Sequence, residues 1–174
     1  MKETAVLGGG CFWCTEGVFQ ALRGVQSVVP GYCGGHVDEP TYEQVCGKQT
    51  GHIEVVRVEF DPAVISFRDL LHVFFLTHDP TTLDRQGADV GPQYASAIFC
   101  QNDEQRRIAF EVIDSLQSEF DQPIVTHVLD SSTFWPAETY HHNYFARNPE
   151  QGYCQMVIAP KLSKFRQRFQ ALLV

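Results

Sequence analysis

The segment Ala5-Val6-Leu7-Gly8-Gly9-Gly10-Cys11-Phe12-Trp13-Cys14 sets the frame for the whole chain. Three apolar residues followed by three glycines predict a short buried strand that ends in a tight turn. From Cys11 onward the spacing changes, and Phe12, Val18, Phe19 and Leu22 fall on one side of a helix. Cys11 is therefore expected where a turn meets the first turn of a helix, among unpaired backbone N–H groups that favour an anion. Thiolate is the nucleophilic form of cysteine, so the position suits a reactive thiol. The alternative is a buried cysteine that only fills space.

Outward from this segment, Gln26 to Tyr32 and Ile53 to Phe60 read as strands, the second alternating through Val56, Val58 and Phe60. Ser66 with Asp69 resembles a capping box that opens a helix through Leu70, Leu71, Phe74 and Phe75. Residues His78 to Gln93 contain Pro80, Gly87, Gly91 and Pro92 and predict a long loop of the kind that usually carries function. Tyr94 to Cys100 is a further strand. A helix follows from Asp103 to Phe120, with Ile108, Val112, Ile113 and Leu116 on its apolar side. Ile124 to Leu129 is the next strand. Ala137 to Ala146 and Lys161 to Leu173 are expected helices, parted by a loop with Asn148-Pro149 and Gly152. The order strand, helix, strand, strand, helix, strand, then helix and strand, matches a split βαβ unit with additions. The expected fold is a two-layer α+β sandwich with a mixed sheet and a ferredoxin-like core, in one domain spanning residues 1–174.

The net charge of −8 argues against a nucleic-acid surface, which needs clustered Lys and Arg. No stretch approaches the ~20 apolar residues that span a bilayer, and the first ten residues do not resemble a signal peptide. A cytoplasmic protein is expected. In that compartment thiols stay reduced, so the six cysteines point to catalysis, metal binding or inert packing rather than a disulfide framework.

Cys14 completes a C-x-x-C spacing that suggests a dithiol redox pair. Zinc would need two further ligands, and His72 and His78 lie far from the pair in sequence. Phe12 and Trp13 are neighbours on a helix, so at most one faces the core and the other is free to line an apolar pocket beside Cys11. His141 and His142 are also adjacent and do not converge on one ion.

These residues carry a resemblance. Gly10-Cys11-Phe12-Trp13 resembles the active-site signature of the peptide methionine sulfoxide reductase A family. Gly31 to Gly35, Pro40-Thr41-Tyr42, Thr50 to Glu54, Gly91 to Tyr94, Phe134 to Glu138 and Gly152-Tyr153-Cys154 follow in that family's order. The resemblance implies reduction of methionine S-sulfoxide, free or in proteins and peptides, through a sulfenic acid on Cys11. It implies Glu54 as the acid, Tyr42 and Tyr94 as donors to the sulfoxide oxygen, and Asp89 near the reacting atoms. Phe12 and Trp13 then hold the substrate, and His141 is a hydrogen-bonded support. Cys154 matches the usual resolving thiol; many members have Gly where this chain has Cys14, which leaves Cys14 as the other candidate. Electrons would come from thioredoxin, with no bound cofactor, and the protein is expected to be a monomer.

Two other readings stand beside this one. A thioredoxin-like oxidoreductase would use Cys11 and Cys14 as a dithiol, and a zinc- or thiol-based sensing module would bind or react without turnover.

Overall fold

The computed structural model describes residues 2–148 and 150–173. Strand β1 (Glu3–Gly9) leads through Gly10 into helix α1 (Phe12–Gln20). At Gly10, φ is +95° and a Cβ would lie 2.5 Å from the Gln86 side chain, so only glycine turns the chain here without strain. Strand β2 (Val25–Cys33), helix α2 (Tyr42–Cys46), strand β3 (Ile53–Phe60) and helix α3 (Phe67–Thr77) follow. The predicted capping box is present: the Asp69 N–H donates to Ser66 Oγ at 3.0 Å, and the Ser66 N–H donates to Asp69 Oδ2 at 3.3 Å.

The predicted long loop holds a small hairpin of β4 (Arg85–Gln86) and β5 (Asp89–Val90), turned at Gly87 with φ +57°. Tyr94 closes a 3₁₀ turn, so β6 starts later than expected, at Ser96–Cys100. Helix α4 (Asp103–Leu116) tightens into a 3₁₀ turn that ends at Glu119, and β7 is His127–Asp130. Strand β8 (Trp135–Pro136) has no counterpart in the sequence reading, because two residues carry no periodicity.

The expected helix from Ala137 to Ala146 is instead a 3₁₀ turn at Thr139–His141 and a short α5 (Tyr144–Arg147). Asn143 at φ +56° interrupts it, a left-handed conformation that a continuous helix does not admit. The last helix starts earlier than predicted. A π-turn over Cys154–Ile158 runs directly into α6 (Ala159–Arg168), with a final 3₁₀ turn at Gln170–Leu172. Pro149, expected in the loop before it, lies outside the described residues.

The main sheet has the order β7-β6-β1-β3-β2-β8. Its pairs are antiparallel except β6 with β7, so the sheet is mixed, as expected. Side chains alternate across it. Ala5, Leu7, Val56, Val58, Phe60 and Ile98 face α1, α3 and α4, where Phe19, Leu70, Phe74 and Val112 complete the core. Val6, Ile53, Val55, Ala97 and Phe99 turn to the opposite face, under Phe134. Glu54 shares the parity of Val56 and Val58. A carboxyl is thus delivered to the helix side of a central strand, beneath the start of α1.

Candidate active site

Cys11 is the N-cap of α1, with backbone angles of −58° and 123°, and its carbonyl accepts the N–H of Cys14 at 3.1 Å. The predicted location at a helix N-terminus is realised, but a resting thiolate at Cys11 is not. Burial pushes the Cys11 thiol well above the ordinary cysteine value, and its hydrogen bond to Cys14 and the nearby Glu54 add to this. The Trp13 N–H in the first turn pulls the other way and is outweighed. Desolvation costs a buried anion more than one open helix end returns. Cys14 moves in the opposite direction: the hydrogen bond from Cys11 lowers it, burial opposes, and the Lys161 charge lowers it further.

Glu54 is 1 % exposed. Its Oε1 accepts the Phe12 N–H at 3.1 Å, and its Oε2 is buried without a partner. Burial raises its pKa to about 8, with the Asp89 and Cys14 charges adding and the Phe12 bond opposing. The side chain is therefore a carboxylic acid at neutral pH. The hydrogen-bond pattern assigns its proton to Oε2, the atom left free.

An aromatic wall rises beside this acid. Trp13 is half-buried; its ring stacks on Tyr144 with centroids 3.9 Å apart and 8° between planes. The Trp13 indole N–H donates to His141 Nδ1 at 3.0 Å. Burial lowers the pKa of His141 to about 4, so it is a neutral support, in keeping with the sequence reading. Phe12 is nearly wholly buried against Tyr32, Tyr42 and His141. Of the aromatic pair, Trp13 is the half-buried member, packed on Tyr144, while Phe12 packs in the core and meets Glu54 through its backbone N–H.

Tyr42 opens α2, whose N-cap Thr41 forms a capping box with Gln44. Glu138 fixes it in place: Oε2 accepts the Tyr42 N–H at 3.0 Å, and Oε1 accepts the Tyr32 hydroxyl at 3.0 Å. Tyr94 packs on the cluster that contains Cys11, Cys14 and Cys154. Burial raises the phenols of both Tyr42 and Tyr94, with the Glu54 charge adding, so each is a neutral O–H donor. Asp89 accepts the Tyr153 hydroxyl at 2.6 Å.

A groove of about 920 Å³ reaches the cysteine pair from another direction. Cys11, Cys14, His78, Asp89, Tyr153 and Lys161 contribute to its walls, whereas Trp13, Tyr42, Glu54 and Tyr94 do not. Cys154 is fully buried in the cluster, outside the groove. The remaining thiols stand apart from that cluster: Cys33 is buried under the sheet, Cys100 ends β6, and Cys46 is half-buried on α2. Among the described residues no group of three His, Cys, Asp or Glu side chains is arranged around a metal position.

Tyr32, Glu138, Tyr144 and Tyr153 have roles here that sequence reasoning does not give. Three of them sit inside motif blocks that carry the family resemblance, so the blocks mark them although periodicity does not.

A buried thiol at a helix N-terminus, clustered with a second thiol and near a buried carboxyl of raised pKa and phenols that stay neutral, fits the class of thiol-based oxidoreductases. Comparison with known proteins narrows the class. The family model for peptide methionine sulfoxide reductase matches residues 3–173, and the chain belongs to that family. It is 62% identical over 173 residues to the peptide methionine sulfoxide reductase MsrA of Ralstonia nicotianae, covering 96% of this chain and 91% of that protein. A peptide methionine sulfoxide reductase MsrA of Thermus thermophilus is 58% identical over 172 residues, covering 99% and 98%. Among solved structures, methionine sulfoxide reductase A of Corynebacterium diphtheriae superimposes with a TM-score of 0.83 at 33% identity, covering 89% of this chain and 78% of that one. Reduced Mxr1 from Saccharomyces cerevisiae gives 0.82 at 31% identity, covering 88% and 89%. The thioredoxin-like dithiol reading is not favoured by these relationships.

Proposed function

We propose that the protein reduces the S epimer of methionine sulfoxide to methionine, with Cys11 as nucleophile and Glu54 as the acid. The observation that carries the reading is the buried, unpartnered Oε2 of a carboxyl whose pKa is about 8, on a side chain that binds the N–H of the residue next to Cys11. A sulfoxide oxygen accepts that proton, and the phenols of Tyr42 and Tyr94 donate to the same oxygen as its charge grows. Cys11 attacks the sulfur as its own proton passes to the Glu54 carboxylate. The oxygen ends on Cys11 as sulfenic acid and methionine leaves, so Cys–SH and sulfoxide become Cys–SOH and thioether with no net gain or loss of protons. Trp13 offers the flat apolar surface for the substrate methyl group, held by Tyr144 and His141.

The sulfenic acid then condenses with a second thiol. Cys14 is the first resolving thiol in this reading, in place of the Cys154 favoured by resemblance alone. Cys14 lies three residues on from Cys11, its N–H donates to the Cys11 carbonyl at 3.1 Å, and the backbone at Cys11 is non-helical, which favours a short Cys11–Cys14 bridge. Cys154 in the same cluster is the second thiol, taking the disulfide onward. Thioredoxin as electron donor, the absence of a bound cofactor, a cytoplasmic site of action in oxidative repair, a monomeric state and a single domain belong to the same reading, on the strength of family membership. The order β6-β1-β3-β2 with α1 and α3 as crossovers supports the ferredoxin-like description of the core.

The test is chiral chromatography of an N-blocked racemic methionine sulfoxide incubated with enzyme and dithiothreitol. Loss of the S epimer alone, abolished by Cys11→Ser, is expected. Consumption of neither epimer would reject the reading.

A further inference from the structure

The surroundings of Cys14 are not explained by the first half-reaction. Besides the groove, a cavity of about 10 Å³ touches Cys14, and its walls include Thr15, His78 and Lys161. Among the described residues, Lys161 is the one Lys or Arg side chain that lines both spaces. It sits in the first turn of α6, directly after the π-turn that carries Cys154. Among the described residues its ammonium has no carboxylate partner within salt-bridge distance.

His78, the other nitrogen base at the cavity, is already occupied. Its Nδ1 donates to the Phe74 carbonyl, and its Nε2 accepts from Ser96 Oγ at 2.7 Å. Burial lowers its pKa to about 4, so it is neutral and has no free nitrogen for a thiol. The other groups facing Cys14 are the Cys11 thiol, the Tyr153 phenol, the carboxyls of Asp89 and Glu54, and Cys154. The Asp89 charge opposes a negative charge on sulfur. Lys161 supplies the positive charge.

We propose that Lys161 is a positioning residue for the resolving step, holding Cys14 as the thiolate that attacks the Cys11 sulfenic acid. In that step Cys14–S⁻ and Cys11–SOH with one proton give the Cys11–Cys14 disulfide and water. The sulfenic sulfur is reduced, the Cys14 sulfur is oxidised, and the hydroxide leaves as water. The inference rests on Cys14 being the first resolving thiol. It also gives the wide groove a purpose distinct from sulfoxide binding, because the cation belongs to the side where thiols exchange.

The experiment measures iodoacetamide alkylation of Cys14 by peptide mapping across pH in the wild type, Lys161→Met and Lys161→Arg. Lys161→Met should move the midpoint of Cys14 alkylation upward and reduce its rate at pH 7 about three- to tenfold, and Lys161→Arg should restore both. In rapid-quench turnover with excess methionine sulfoxide, Lys161→Met should still release one equivalent of methionine while the disulfide forms more slowly. An unmoved midpoint with unchanged disulfide formation overturns the role of Lys161 and leaves the reductase reading intact. A bridge that maps to Cys11–Cys154 after one turnover, with Cys14 free, overturns the resolving order and with it the use of this thiolate.

Discussion

Around Cys11, Cys14, Asp89, Tyr153 and Lys161 line the groove, whereas Glu54, Trp13, Tyr42 and Tyr94 stand off it. Apart from Trp13 and Cys14, which share α1, and Tyr94 on its 3₁₀ turn, the two groups rest on different kinds of backbone. Glu54 is on a central strand of the sheet, Trp13 is in the first turn of α1, and Tyr42 is tied through Glu138 to Tyr32 of β2. In the second group Cys14 shares the first turn of α1 with Trp13, but Asp89 is on the short β4–β5 hairpin, Tyr153 directly precedes the π-turn and Lys161 is on the last helix, around an open groove. Oxygen transfer needs donors held where charge develops, and elements packed into a core provide that. Thiol exchange needs access and room for a disulfide to move, which loops and terminal segments give. One sulfur serves both regimes because it sits at their border.

Substitutions can break this comparison at graded strengths. Cys11→Ser removes the atom both sides share, so sulfoxide consumption should fall at least about a thousandfold, read by chiral chromatography. Glu54→Gln keeps an acceptor for the Phe12 N–H but loses the acid. It should slow the first half-reaction by about 10²–10⁴-fold in single-turnover measurements while leaving reduction of a preformed Cys11–Cys14 disulfide nearly unchanged. In the wild type the same step should decline as pH rises through about 8, where Glu54 ionises. Tyr42→Phe and Tyr94→Phe each remove one donor, and roughly tenfold losses confined to the first half-reaction are expected. Cys14→Ser should act on the other side only: one equivalent of methionine is still released at the wild-type rate, and steady-state turnover then falls.

The smallest expected effect is on stability. Glu54 and Glu16 are both buried, and burial raises their pKa values to about 8 and about 7. Each binds its proton more tightly folded than unfolded. The stability they confer is therefore complete below the usual carboxyl pKa of 4.5 and is lost as pH rises through 7 and 8. The thermal midpoint should be lower at pH 8.5 than at pH 5.5 by a few degrees. Glu16→Gln should flatten that slope.

The two sides also differ in how legible they are in the sequence. The strand at Ile53–Phe60, the Ser66 capping box and the helix from Asp103 follow from periodicity and caps, because burial on one face imposes a repeat. The strand that carries Glu54 and the helix that carries Trp13 could be placed from such patterns, although the roles of the two side chains come only from the family resemblance. The groove side could not. Hairpin β4–β5 is too short to show alternation, and the π-turn at Cys154 breaks the helical repeat that reveals a helix. Asn143 splits a predicted helix by a conformation that its neighbours do not announce. The protonation of Cys11 depends on how far the fold withdraws it from water, a property of the assembled site and not of the Gly-Cys-Phe-Trp segment.

The parity of β3 has a genetic consequence. Insertion of one codon between Glu54 and Val55 would keep every side chain of the strand. Yet if Val56, Val58 and Phe60 held their places, Glu54 would be turned out of the helix layer toward Phe134, and a reading frame that still encodes a foldable sheet would encode an inactive enzyme. Tolerance to single-residue insertions should therefore be lower here than in the hairpin at Gly87, where the chain turns in open space. Deep insertional scanning scored separately for abundance and for growth on oxidised methionine would draw that boundary along the chain.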